Sequence, residues 1–513
     1  MFALVAAAAS ALVAADAPSL AEVPPAPPVE LPAPEPDDDA DMPTAHPARP
    51  YVRTTLETTL LLAAGTLWYW RSPSYSDWDL KFDWQSWKSK LFSDRDIVFD
   101  DNRFDTNALN HPVAGALYYQ MARGNGFSVG ASFVSSFLAS TAWEYFVEFN
   151  EKPSINDLIL TPLGGAVIGE ATYRLGRLFY EGRPGFGNCL GAIVFSPVAT
   201  LNDAAVCRAG HGEPPYDPSG FSRRLWHRVT IEAGRTRTMF DAGGVADETS
   251  LGFGAEVVAH RPYQRPGEGI TTVHPGQWSL LTARALFGDG AVRGSAVHAH
   301  TVILGRYLRR YAEADEPDHG PTDGWGLMFG AGSTFDYDAR DLTFDWDRTV
   351  SAGVAGPMLE LAARRGNLTL RAWTTATYAF SLVDSLAYPT AAPALAGQFI
   401  KSELRQQGYY YAQGVTTASA LVLEYRAVSL LFDGRTGWFR SFDAGDRYQG
   451  RIQNNFSLTD TRVFLRATAT VRPFAGPLRF ALGVDRTNRE SRLLAYAASV
   501  DETRVGLAGV LAF

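Results

Sequence analysis

The 513-residue sequence contains no apolar run long enough to span a bilayer as a helix, which excludes the helical class of membrane protein. Cysteine is nearly absent. Cys189 and Cys207 are the two, both in a Gly/Pro-rich stretch, so there is neither a disulfide framework nor a thiolate metal site. Either they close one loop in an oxidising compartment or they are unrelated thiols. Lys/Arg-rich runs are also missing, and the formal net charge is −9, which argues against nucleic acid as a partner. No phosphate-binding loop and no clustered Cys/His pattern occurs, so no cofactor and no metal is expected. Mean hydropathy is −0.10, low for a helical membrane protein but in keeping with a chain whose two faces average out.

What the chain has is alternation. From about residue 225 onward, apolar and polar residues alternate with a period of two, the side-chain period of a strand. Val463, Leu465, Ala467, Ala469 and Val471 fall on one face, opposed by Arg462, Arg466, Thr468, Thr470 and Arg472. The last segment places Val505, Leu507, Gly509, Leu511 and Phe513 together. About twelve such segments fit a transmembrane antiparallel β-barrel over 225–513, because closure satisfies every backbone polar group in lipid. A soluble β-sandwich alternates in the same way, but the strands here are long and their polar face is rich in arginine. Arg371, Glu424, Arg426, Arg462, Arg466, Arg479 and Asp485 are expected to line a mixed-sign lumen. His298 and His300 share one strand face, where a wet lumen or surface position is expected of them.

The first part reads differently. Residues 1–17 resemble a signal peptide, with a short apolar run ending in Ala15-Asp16-Ala17 but without a basic n-region. Residues 18–50, rich in Pro and Asp, form a linker with nothing to bury. Residues 51–186 have a helical pattern, and 187–224 read as a connecting loop with a possible Cys189–Cys207 disulfide. In the helical unit Gly165 and Gly169 stand four apart, as on a close-packing helix face. The candidate polar site is also there: His111, then Glu144 and Glu148, Asn156 and Asp157, and later Glu170 with Arg174. Carboxylates at i and i+4 repel unless compensated, so Glu144 and Glu148 point to a histidine, a bound cation or an arginine, an arrangement that could bind a metal or relay protons. The competing explanation is structural, with Ser154 as a helix cap, Asp157 in the first turn and Glu170–Arg174 as an ordinary pair. Gly126-Phe127-Ser128-Val129-Gly130 matches a nucleophile elbow as a string. It follows a helix instead of a strand, so Ser128 is read as a cap or packing residue.

The aromatic Phe513 resembles the assembly signal of Gram-negative outer-membrane barrels. His111-Pro112, Trp143-Glu144-Tyr145 with Glu148, Pro153 to Leu158 and Thr161 to Gly165 resemble an uncharacterised Gram-negative family that couples a helical block to an outer-membrane barrel. More distantly the helical block is similar to VanZ-like proteins, which usually carry Asn where this chain has Thr161-Pro162. These resemblances imply an outer-membrane location with a periplasmic-facing N-terminal part. They also imply outer-membrane lipid and the barrel assembly machinery as partners, and they bring no catalytic assignment. Three functions follow as expectations. The first is a non-enzymatic narrow-pore or lipid/solute-handling protein with a helical plug or periplasmic block. The others are a lipid- or lipopolysaccharide-modifying hydrolase and a structural scaffold.

Overall fold

The computed structural model describes residues 50–71, 83–93, 96–148, 150–202, 216–313, 322–342, 346–442, 451–452 and 456–513. The expected signal peptide, the linker up to residue 49 and Cys207 lie outside them. Cys189 is a bonded and not a free cysteine.

Thirteen strand segments are described: β1 (Trp226–Phe240), β2 (Val245–Val258), β3 (Gly267–Val273), β4 (Trp278–Gly288), β5 (Ala291–Tyr311), β6 (Gly324–Asp341), β7 (Trp346–Arg365), β8 (Leu368–Asp384), β9 (Tyr409–Tyr425), β10 (Val428–Ser441), β11 (Leu458–Val471), β12 (Leu478–Leu493) and β13 (Tyr496–Ala512). Each pairs antiparallel with its neighbours, β1 pairs with β13, and the β5–β6 pairing completes the circle. β3 and β4 share one edge of β5, so the thirteen segments occupy twelve positions of a closed barrel. Val229 and Phe513 exchange backbone hydrogen bonds at what we term the terminal end. The opposite, far end carries the β8–β9 connection.

Register fixes which side chains face inward. Bonds between strands that are not neighbours, such as Arg371 of β8 to Glu256 of β2 and Arg340 of β6 to Glu248 of β2, can only cross the bore. Their alternates face outward. On β10 to β13 and β1 that outer face is apolar and exposed, with Phe432, Leu465, Leu482, Leu507 and Ile231. Toward the far end it turns charged, at Arg237, Asp247 and Arg486. Arg426, expected in the lumen, sits instead in the two-residue β9–β10 turn at φ +55°, its guanidinium over Tyr425.

The helices are α1 (Pro50–Trp70), α2 (Trp84–Phe92), α3 (His111–Arg123), α4 (Val129–Ala142), α5 (Ile155–Tyr180), α6 (Phe186–Phe195) and α7 (Pro197–Asn202). None is long and apolar enough to cross a membrane. A π-helical turn, Thr106–Asn110, leads into α3, and another, Trp143–Val147, follows α4. α6 and α7 occupy the start of the expected connecting loop, because Leu190 to Phe195 is an apolar run whose one glycine, Gly191, lies against the Phe179 ring and not in a turn. Ser128 caps α4, its side chain accepting from the Ala131 N–H. α3 crosses α5 where both lack side chains: a Cβ on Gly115 would lie 1.9 Å from the Thr161 carbonyl oxygen, and one on Gly165 2.4 Å from Gly115.

The helical unit does not enter the bore. Leu160, Val167, Ala171, Leu175 and Leu178 of α5 pack on Phe335, Tyr337, Val350, Ala352, Leu281 and Ala255. All six wall residues lie on the outward face, since Phe335 pairs with Ala352 and alternates with the inward Asp336 and Asp338. The unit therefore clads the outside of the wall from β2 round to β9. The expectation of a plug made by this block is corrected on this ground. Another segment closes the far end: α8 (Tyr388–Leu395) and α9 (Ser402–Gln407) bring Ala391, Leu395 and Leu404 onto the inward Tyr410, Phe439, Leu458 and Leu493. Beneath them Arg489 binds Asp460 at 2.9 Å and also contacts Asp347.

Candidate functional site at the seam between helices and barrel

Residues 98–105 bring the helical unit onto the wall. Val98 pairs with Ser154 through the backbone, and Phe99 stacks on the outward Tyr411 with ring centroids 4.6 Å apart. Phe104 meets Tyr409 edge-on. Between these aromatic contacts lies a buried polar network.

Asp100 is its hub. Oδ1 accepts from Asn107 Nδ2 at 2.7 Å and from the Tyr411 hydroxyl at 3.0 Å. The Asn156 amide donates to Asp157 Oδ1 at 2.9 Å and Asp100 Oδ2 at 3.3 Å, while its own oxygen accepts the Asp100 N–H. The two carboxyls thus take hydrogen bonds from one amide. Two buried carboxyls side by side oppose each other's ionisation. His111 Nε2 lies 3.5 Å from Asp157 Oδ2, and no Arg or Lys reaches the pair among the described residues. Ser154 caps α5 through the Asp157 N–H, as the structural explanation held, yet the Asp157 carboxyl turns into the network.

Glu144 and Glu148 follow from the π-helical turn after α4. Glu144 Oε2 accepts the Ser154 N–H at 2.8 Å, and its Oε1 is buried without a hydrogen-bond partner. Glu148 Oε1 accepts from Trp143 Nε1 at 2.8 Å, and the buried Lys90 donates to the Glu148 carbonyl. The two π-helical turns thus deliver His111 and Glu144 to one region, a placement π-helical turns often serve at functional sites.

Five of the six proposed residues therefore gather around the start of α5. Glu170 does not, lying about 21 Å further along that helix. Its carboxylate is held by Arg123 at 2.9 Å, Arg174 at 2.7 Å and the Tyr119 hydroxyl at 2.7 Å, a closed ion cluster between α3 and α5. Asp100, Asn107, Tyr409 and Tyr411 were not singled out from sequence. One signal existed, since tyrosines at positions that ought to face lipid need partners for their hydroxyls.

The bore is the second polar region. Strand side chains enclose a chamber of about 490 Å³ that reaches the terminal rim at Arg228, Glu424 and Arg479, and it continues into a deeper part of about 270 Å³ lined by His298, Asp336, Asp338 and Arg462. No helix residue lines either part. His298 and His300 face this lumen, with Asp336 Oδ1 at 2.9 Å from His298 Nδ1 and 3.6 Å from His300 Nε2. No group of three or more His, Cys, Asp or Glu side chains suited to a metal occurs among the described residues.

The model of a family described as a domain of unknown function, DUF3943, matches residues 96–198, the stretch that carries the seam network. No curated protein matches the chain. Among solved structures it is similar to the β domain of the Bordetella autotransporter BrkA, at 11% identity over 56% of this chain and 98% of that one, with a TM-score of 0.21. The translocator domain of the autotransporter NalP from Neisseria meningitidis has 13% identity over 55% and 87%, with a TM-score of 0.17. Pseudomonas aeruginosa OccK1 has 10% identity over 57% and 100%, with a TM-score of 0.15.

Proposed function

We propose that this chain is an outer-membrane barrel, not an enzyme, that handles a small polar solute in a bore closed at one end, and that its helical unit lies beside the barrel at bilayer depth. The bore reading is carried by the chamber of about 490 Å³, which lies in the size range of ligand sites and reaches the terminal rim, while the deeper part reaches Phe439, on which α8 and α9 pack. Arg228 and Glu424 at that rim, 2.6 Å apart, are each about one-third exposed. The apolar outer face of β10 to β13 supports the membrane location. The helical unit covers the same height of wall and exposes Val134, Leu138 and Leu60 on its own far side, a surface that suits acyl chains better than water. Planar-bilayer conductance tests the closure. The wild-type protein is expected to stay silent, and replacing residues 388–407 by a short Gly/Ser link is expected to open the bore. A steady wild-type conductance, or silence in both forms, contradicts the reading.

The buried carboxyls Asp100 and Asp157 beside His111 favour a second reading, acid–base chemistry on a lipid at the seam. No hydroxyl is hydrogen-bonded to the His111 ring among the described residues, so a Ser/His nucleophile is not assembled there. Unchanged envelope lipids, by mass spectrometry, in cells carrying Asp157→Asn would remove this reading.

A further inference from the structure

Inward arginines of the bore are matched to carboxylates across it. Arg228 meets Glu424 at 2.6 Å, Arg340 meets Glu248 at 2.6 Å, Arg371 meets Glu256 at 2.6 Å, and Arg462 meets Asp347 at 3.6 Å. Asp485 alone serves three guanidiniums: Arg284 at 3.1 Å, Arg466 at 3.8 Å, and Arg504. Two inward arginines are different, with neither a hydrogen bond nor a carboxylate within ion-pair distance among the described residues: Arg479 at the terminal rim and Arg435. Arg435 lies mid-bore on β10 and lines both parts of the chamber. Its guanidinium rests on the Phe464 ring, 4.5 Å from the centroid, which holds the plane in place and leaves its N–H edge free. Two residues earlier on the same face, Asp433 also lines both parts of the chamber, and its Oδ1 is buried without a hydrogen-bond partner.

We infer that Arg435 and Asp433 form the recognition site of the bore, and that the site takes a small carboxylate that also bears a hydrogen-bond donor. The guanidinium fork matches a carboxylate in two parallel hydrogen bonds, which a Lys would not reproduce. Asp433 accepts from a hydroxyl or ammonium group on the same molecule. The cross-bore arginines named above each already hold a carboxylate, so the solute displaces none of these pairs. The flanking Arg466 and Arg284 share one carboxylate, which leaves this stretch of wall electropositive and further suited to an anion.

The site rests on the reading of the bore as a solute chamber. Conductance tests the closure and binding tests the recognition, so the two fail separately. The probe is D-gluconate, a hydroxy-carboxylate, titrated calorimetrically into the full-length folded protein in detergent, with sorbitol as the neutral polyol of similar size. Gluconate is expected to bind and sorbitol to bind at least tenfold more weakly. Arg435→Gln should weaken gluconate at least tenfold, Asp433→Asn severalfold, and the outer-surface change Arg237→Gln not at all. Arg435→Lys keeps the charge without the fork and should fall between wild type and Arg435→Gln, which decides the matter even if the Gln variant fails to fold. Absence of gluconate binding, equal binding of sorbitol, or unaltered binding in a folded Arg435 variant overturns the proposal.

Discussion

The barrel wall carries a polar network on each of its faces, and the two are built on opposite principles. Inside the bore most guanidiniums meet carboxylates, the chamber reaches the rim, and among the described residues Arg435 and Arg479 are left without an ion-pair partner. At the outer seam the acids Asp100 and Asp157 have no Arg or Lys among the described residues, and amides and a tyrosine hydroxyl bind them. A charge in contact with water can be matched loosely, because solvent repairs a mismatch. A charge sealed between a helix and an outward wall must be neutralised or fully hydrogen-bonded. On the proposed function, solute contact falls to the bore and docking specificity to the seam. The seam network also gives the helical unit a specific mark on a wall whose outer face is largely apolar at mid-height.

The largest expected effect breaks the contrast at its third member, the ion cluster of Glu170. Glu170→Ala leaves Arg123 and Arg174 as buried uncompensated cations and should destabilise the helical unit by about 3–5 kcal/mol, seen as earlier proteolysis of residues 96–198 while the barrel stays intact. Asn156→Leu comes next. It removes the amide that bridges the two carboxyls and leaves the Asp100 N–H unpaired, a loss of about 2 kcal/mol by the same protease assay. Tyr411→Phe keeps the Phe99 stack but deletes one hydroxyl and should cost about 1 kcal/mol of docking without altering barrel melting. The smallest effect belongs to Arg237→Ala. That pair with Asp247 is more than 60% exposed on both sides, and its loss should leave barrel melting unchanged. If Tyr411→Phe equalled Glu170→Ala, the docking would rest on the tyrosines and not on the buried ions.

Much of this was legible in the residues. The alternation from Arg462 to Arg472 gave β11 its face, and the residues from Val505 to Phe513 gave β13 its apolar one, because a strand of a closed sheet shows its environment residue by residue. The small residues Gly165 and Gly169 marked the close face of α5 for the same reason. The side of the wall to which the helices dock could not be read. Phe335, Tyr337 and Val350 under the helices carry the same apolar signature as Leu465 and Leu507, which no helix covers, since lipid and a helix face are equally apolar partners. The seam site was half visible. His111, Glu144, Glu148, Asn156 and Asp157 stood close enough in sequence to suggest a cluster, whereas Asp100 lay in a loop and its hydroxyl donor, Tyr411, came from a distant strand. Glu170 was grouped with them by chemistry alone, and the length of α5 separates them.

The position of the helical unit is tested most directly by paramagnetic accessibility. A nitroxide is placed at Leu138 on the outer side of α4, at Leu507 on the bare wall, and at Arg237 near the far rim, in protein reconstituted into vesicles. The account predicts that the Leu138 label behaves like the Leu507 label, relaxed strongly by oxygen and weakly by a water-soluble nickel chelate. A Leu138 label as open to the chelate as the one at Arg237 would place the unit in water and contradict the account.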